Sequence, residues 1–219
     1  MQDFKSFMTE NYLTEKLSMA KHILDTLVGL ESKDFDEFAV DSTNFLESTA
    51  NGERIGSGAF AEVYGGKSGG GYVVKIVNYD PEYHVFYGVS HYEKNPILPR
   101  FLNHREVRFL NGDVAQLYIL EKLDVNYDNN TKFDKKFKLY SGEDLSETVR
   151  LIIKGTYEQY IDVDKADKFL KEYANRTFEE LVEFSRILSK VEGGGYNDIH
   201  NENFGFDAQG GLVIFDPVA

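Results

Sequence analysis

The chain has 219 residues, 42% of them hydrophobic, with 14 Tyr and 17 Phe, enough large apolar side chains to fill a core and to exclude an extensively disordered protein. It contains no Cys, which excludes disulfides and thiolate metal sites and fits a reducing cytoplasm, and no apolar run approaches the roughly 20 residues that span a bilayer. A formal net charge of -13 opposes attraction to nucleic-acid phosphates, and MQDFKSFMTENYL is acidic and polar where a signal peptide needs a basic start, so we expect a soluble intracellular protein.

Leu13, Leu17, Ala20, Leu24 and Leu27 recur at helical spacing and predict an amphipathic helix, so residues 1–50 read as a helical N-terminal extension that includes the acidic stretch SKDFDEF. The run ERIGSGAFAEVYGGKSGGGYVVKIV reads as strand, glycine loop, strand, glycine-rich turn and strand, with KSGGG suited to a hairpin connection. DPEYHVFYGVSHYEKNP predicts a helix opened by Pro81 and stopped near Asn95-Pro96. RFLNHREVRFL and VAQLYILEKL are strand-like and joined by Asn111-Gly112-Asp113, a hairpin turn. Residues 51–124 therefore predict a mainly antiparallel sheet with one helix.

DVNYDNNTKFDKKFK reads as a polar bridge into a helical half, residues 125–219. Three helices are expected there, in GEDLSETVRLIIKG, VDKADKFLKEYAN and TFEELVEFSRILSKVEGG. Thr177 and Glu180 have capping-box spacing, and Gly193 to Gly195 supply a stop. No internal repeat of solenoid period is present, and the fold class expected is α+β.

Two groups of residues suggest chemistry. In IGSGAFAEVY, Gly56 and Gly58 would let the backbone approach phosphates, although glycine turns are common without any ligand. Lys75 lies among the β-branched residues of YVVKIV, where a buried ammonium needs a partner such as a phosphate; the plainer alternative is the solvent face of an edge strand. In GYNDIHNENFGFDAQGGLVIFDPVA, Asp198, Asn203 and Asp216 offer hard oxygen ligands of the kind Mg²⁺ favours. The turn Ala208-Gln209-Gly210-Gly211 would fold FGF and LVIF into a hairpin with Asn203 and Asp216 together at its open end.

A glycine hairpin, a strand lysine, D-I-H-N-E-N and an aspartate thirteen residues after its last asparagine resemble the ordered motifs of the protein-kinase-like fold. The resemblance runs from Gly56 to Val218 and is narrower toward the short early Ser/Thr protein kinases of T-seven-type bacteriophages, through LPR after the first kinase-like helix and the closing VIFDPVA. It implies a compact two-lobed fold, a β-rich N-lobe and a truncated helical C-lobe, and ATP-dependent phosphorylation of host proteins, with self-phosphorylation included, in the host cytoplasm during takeover. By the same resemblance Asp198 is the catalytic base, and Asn203 and Asp216 hold Mg²⁺. Gly56, Ser57, Gly58, Ala59, Phe60 and Val63 cover ATP, Lys75 grips its phosphates, and Glu121 and Leu123 lie at the hinge near adenine. Glu82 and Glu93, at the two ends of the Pro81 helix, are both candidates to pair with Lys75.

The sequence departs from the family pattern at several points. Tyr196 and Asn197 stand where His-Arg is usual, Ala61 replaces the third loop glycine, and Pro217-Val218 replaces Phe-Gly. We expect an abbreviated domain without activation loop, peptide-platform helices or Ala-Pro-Glu motif. His200, two residues after Asp198, is a position at which small-molecule phosphotransferases of the aminoglycoside type carry histidine, so that substrate class is an alternative. The charge of -13 also suits a non-catalytic, acidic inhibitor of a host factor.

Overall fold

Strand alternation sorts the residues of the β-rich half into two faces, and in YVVKIVN and VAQLYILE residues of both faces are buried. The computed structural model describes residues 21–48, 53–57, 61–65, 71–78, 81–191 and 198–217. Five strands, β1 (Glu53–Ser57), β2 (Ala61–Gly65), β3 (Tyr72–Asn78), β4 (Phe101–Arg108) and β5 (Val114–Glu121), form one antiparallel sheet in the order β1-β2-β3-β5-β4. The predicted β4–β5 hairpin turns at Gly112, whose φ of 92 favours glycine, while Asn111 Oδ1 accepts from the Asp113 amide at 2.9 Å.

One face of the sheet is apolar: Tyr72, Val74 and Ile76 of β3 with Ala115, Leu117 and Ile119 of β5. Helix α1 (residues 21–28) and helix α2 (Phe35–Ser48) supply Ile23, Leu24, Leu27, Phe38 and Leu46 to the same core. Leu24 and Leu27 are fully buried, about 1.5–3 kcal/mol of apolar burial each. Leu13, Leu17 and Ala20, the rest of the expected stripe, lie outside the described residues. The acidic stretch SKDFDEF opens α2: Asp34 Oδ1 accepts from the Glu37 amide at 3.0 Å, an N-cap that offsets an otherwise unsatisfied donor.

Contacts divide the chain into two units, one of the segments up to Asp80 and Phe101–Lys122, the other of Pro81–Arg100 and the chain from Leu123 onward. The second unit holds α3 (Pro81–Tyr92), α4 (Tyr127–Ser141), α5 (Leu145–Ile153), a 3₁₀ turn (Tyr157–Gln159), α6 (Val163–Tyr173) and α7 (Phe178–Val191). It ends in a two-stranded hairpin, β6 (Phe204–Phe206) and β7 (Leu212–Ile214). The architecture is α+β. The capping box at the start of α7 forms as expected: Thr177 Oγ1 accepts from the Glu180 amide at 3.1 Å, and Glu180 Oε2 accepts from the Thr177 amide at 2.7 Å. Among the described residues no helix is long and apolar enough to cross a membrane.

One expectation fails. The segment read as a polar bridge is helix α4, capped by the Asn126 side chain on the Asn129 amide and closed by Gly142 at φ 106. Its buried stripe is Asn130, Phe133, Phe137 and Ser141, at helical spacing but only half apolar, so hydrophobic periodicity alone misses it. Phe133 and Phe137 pack against Phe169 of α6 with ring centroids 5.2 and 5.6 Å apart, and Phe133 also meets Phe206 of the hairpin at 5.3 Å.

Candidate functional site

The first unit brings several of the predicted nucleotide-binding residues into one row. Backbone register runs Gly56 to Val63 to Lys75 to Tyr118 to His104 across all five strands. Residues paired in register share a face, so this row lies on the side of the sheet opposite the α1–α2 core. Lys75 occupies β3, the middle strand, and is 6% exposed, which rules out the solvent face of an edge strand. Tyr118 is buried beside it and stacks on His104 with centroids 4.9 Å apart.

Gly56 has neither a positive φ nor a crowded neighbour: an added Cβ would meet only the Val63 Cβ, at 3.9 Å. Ser57 ends β1 opposite Glu62, and Gly58, Ala59 and Phe60 lie outside the described residues. Glu121 closes β5 in register with Tyr72. In the second unit, Leu123 precedes a two-bond bridge between Asp124 and Phe206, at 2.8 and 3.0 Å. Of the two glutamates at the ends of α3, Glu93 forms an ion pair with Lys190 of α7 at 3.1 Å; the Glu82 side chain lies outside the described residues.

The second unit assembles the C-terminal constellation. The β6–β7 hairpin pairs Phe204 with Ile214, and its turn is organised by Asp207, whose Oδ1 accepts from the amides of Gln209 and Gly211 at 2.9 and 2.7 Å. At the open end the Phe215 amide donates to the Asn203 carbonyl at 3.0 Å, and the Asp198 amide donates to the Pro217 carbonyl at 2.8 Å. Asp216 is thus bracketed by one bond to each of the other two residues' backbones. Asn203, 9% exposed, donates through Nδ2 to Asp198 O at 2.6 Å and Asp198 Oδ2 at 3.2 Å. The Asp198 side chain itself is 44% exposed.

His200 joins this cluster. Its Nδ1 accepts from the Glu202 amide at 3.2 Å, which puts the proton of the neutral ring on Nε2, 3.6 Å from Asp198 Oδ2. Tyr196, Asn197 and Gly193 to Gly195 lie outside the described residues. Because Asn203 commits its amide nitrogen to Asp198, its carbonyl oxygen is the atom it can turn to a cation. An amide oxygen and a carboxylate, as at Asn203 and Asp216, are oxygen ligands of the type that Mg²⁺ takes.

Two supports of this site escape sequence reasoning. Asn130 of α4, fully buried, donates to the carbonyls of Asn201 and Phe204 at 2.8 and 2.7 Å. Arg176, between α6 and α7, pairs with Asp207 at 2.6 Å and donates to the carbonyls of Leu212, Pro96 and Asn175 at 3.0, 2.9 and 3.0 Å. Burial opposes ionisation of Asp207, but the Gly211 amide, Arg176 and the Gln209 amide outweigh it and hold the carboxyl below the usual aspartate range. An Asn126 cap and a Gly142 stop were legible signals for α4; nothing local marked Arg176. Comparison of the chain with protein-family models and with curated proteins finds no match in either.

Proposed function

We propose that this chain is a protein-kinase-like phosphotransferase, two-lobed, that moves the γ-phosphate of ATP to Ser or Thr hydroxyls of host proteins, as in the short bacteriophage kinases it resembles. The observation that carries the reading is the bracketing of Asp216 by Asp198 and Asn203 through the two backbone bonds at 2.8 and 3.0 Å, at the five- and thirteen-residue spacings of a kinase catalytic loop and metal aspartate. Lys75 on β3, buried and in register with Val63 and Gly56, supports it from the other unit. Neither fold geometry nor crowding within the described residues calls for glycine at 56, so bare backbone there suits approach by a phosphate.

In this reading the acceptor hydroxyl oxygen attacks the γ-phosphorus, the new O–P bond forms as the bond to the β-phosphate oxygen breaks, and ADP leaves. The hydroxyl proton passes to the exposed Asp198 carboxylate, which Asn203 Nδ2 orients through Oδ2. Asn203 and Asp216 would hold Mg²⁺, which neutralises charge on the phosphates. Lys75, in the first unit, is the residue to which the kinase resemblance assigns a phosphate-binding cation.

The His200 Nε2 approach to Asp198 favours a second reading, phosphoryl transfer to a small-molecule hydroxyl. Incubation with labelled ATP, a host-cell extract and the extract's metabolite fraction separates the two. Label appearing on proteins with the wild type and not with Asp198→Asn is the expected result. Label on metabolites alone favours the small-molecule reading, and Asp198-independent label or none refutes catalysis at this site.

A further inference from the structure

The segment that carries Asp198 and Asn203 is attached to α4 by side chains on one turn of that helix. We propose that Asn130, assisted by Thr131, is the positioning residue of this loop and sets the cation affinity of Asn203. The affinity part rests on the phosphotransferase reading, and the positioning part does not.

Asn130 lies on the buried stripe of α4 between the helix cap and Phe133. Its Nδ2 donates to Asn201 O at 2.8 Å and Phe204 O at 2.7 Å, the carbonyls on either side of Asn203. Thr131 Oγ1, next along the helix, accepts from Asn201 Nδ2 at 2.9 Å. The Asn130 side-chain oxygen Oδ1, by contrast, is buried and accepts no hydrogen bond among the described residues. A buried polar atom left unsatisfied is a cost that leucine would avoid. What Asn130 contributes in return is two donors, and both go to one loop.

The consequence reaches Asn203 through its backbone. Asn203 donates its amide to His200 O at 2.9 Å and accepts from Phe215 N at 3.0 Å, while its Nδ2 is committed to Asp198. The direction of its Oδ1 therefore follows the position of residues 201–204. Without the Asn130 donors, the Asn201 and Phe204 carbonyls lose those bonds, and the attachment of that stretch to the helix weakens to the Thr131 contact. Groups that orient a ligand from behind it typically change cation affinity by about 10–100-fold when removed.

The test uses the full chain with Mn²⁺ and a non-hydrolysable ATP analogue, read by water-proton relaxation, together with hydrogen exchange at the amides of Asn203 and Phe204. Asn130→Leu and the near-isosteric Asn130→Asp should weaken Mn²⁺ by about tenfold or more and speed exchange at both amides. Ser141→Ala, which loosens the far end of the same helix, should lower the melting temperature and leave both readouts unchanged. Unchanged exchange in a folded Asn130 variant, or the same change in Ser141→Ala, overturns the proposal. If neither Asn130 variant folds, Thr131→Val decides: faster exchange at Asn203 supports the brace, and wild-type exchange refutes it. A wild type that binds no Mn²⁺-nucleotide sinks the phosphotransferase reading instead, and the exchange arm still judges Asn130.

Discussion

Arg176→Met would test whether the hairpin carrying Asn203 and Asp216 depends on a single buried ion pair. The side chains of Arg176 and Asp207 are 7% and 16% exposed, so removing the cation strands a carboxylate with little access to water. Breaking a buried pair from one side costs about 3–5 kcal/mol. Asp207 keeps the amides of Gln209 and Gly211, at 2.9 and 2.7 Å, which argues for the low end, about 3 kcal/mol. At about 2–4 °C per kcal/mol for a chain of this size, the melting temperature should fall by about 6–12 °C. Calorimetry at neutral pH reads that number directly.

The same variant has a pH signature. Asp207 is held below the ordinary aspartate range when folded, so its contribution to stability is present above the unfolded value and is lost as pH falls through the lower folded one. Arg176→Met removes part of that depression and should flatten the acid limb of the stability profile. A fall of less than about 3 °C together with an unchanged acid limb would refute the reasoning, because the pair would then carry no net weight. Gly211→Ala provides a check on the same contact, since an added Cβ would overlap the Arg176 guanidinium.

Other expectations concern the packing around the site and the sheet. In Gly205→Ala the new methyl would come within 2.8 Å of the Asp124 carbonyl oxygen and 2.9 Å of Val125 Cγ2, and backbone cannot step aside. A loss of about 1–3 kcal/mol and faster hydrogen exchange at the Asp124 and Phe206 amides should follow; a melting curve matching wild type would contradict this. Burial first, then the hydrogen bond to Glu62, pushes the Tyr64 phenol from 10.0 up to about 12. The folded state holds that proton more tightly, so the associated stability is complete below the unfolded value and is lost as pH rises through the folded one. Tyr64→Phe should show a shallower alkaline loss, and an identical alkaline limb would rule the linkage out. Lys190→Ala, removing the half-exposed partner of Glu93, should change stability by less than about 1 kcal/mol in urea denaturation.

The parts of this protein legible in its sequence are those decided within a few residues. Asn111-Gly112-Asp113 makes its hairpin, Thr177 and Glu180 cap their helix, and Gly210, at φ 76, closes the turn that brings Asn203 beside Phe215. Each rests on local hydrogen bonds or a backbone angle that a particular residue type prefers. The spacing of Asp198, Asn203 and Asp216 belongs here too, because one short hairpin is enough to gather them.

Tertiary structure decided what local pattern could not encode. Helix α4 is stabilised by a stripe in which Asn130 and Ser141 count as core, and their donors, Asn130 Nδ2 and Ser141 Oγ, find acceptors inside the protein. Lys75 reads equally as an edge or a central residue until β5 pairs beside β3 and makes the strand central; in the folded unit its side chain is buried. Arg176 looks like any surface arginine until the hairpin, 31 residues away at Asp207, folds onto it. Sequence determined which turns and caps form, since their energetics are short-range; only the packed chain determined which polar groups are buried, because that depends on partners distant in sequence.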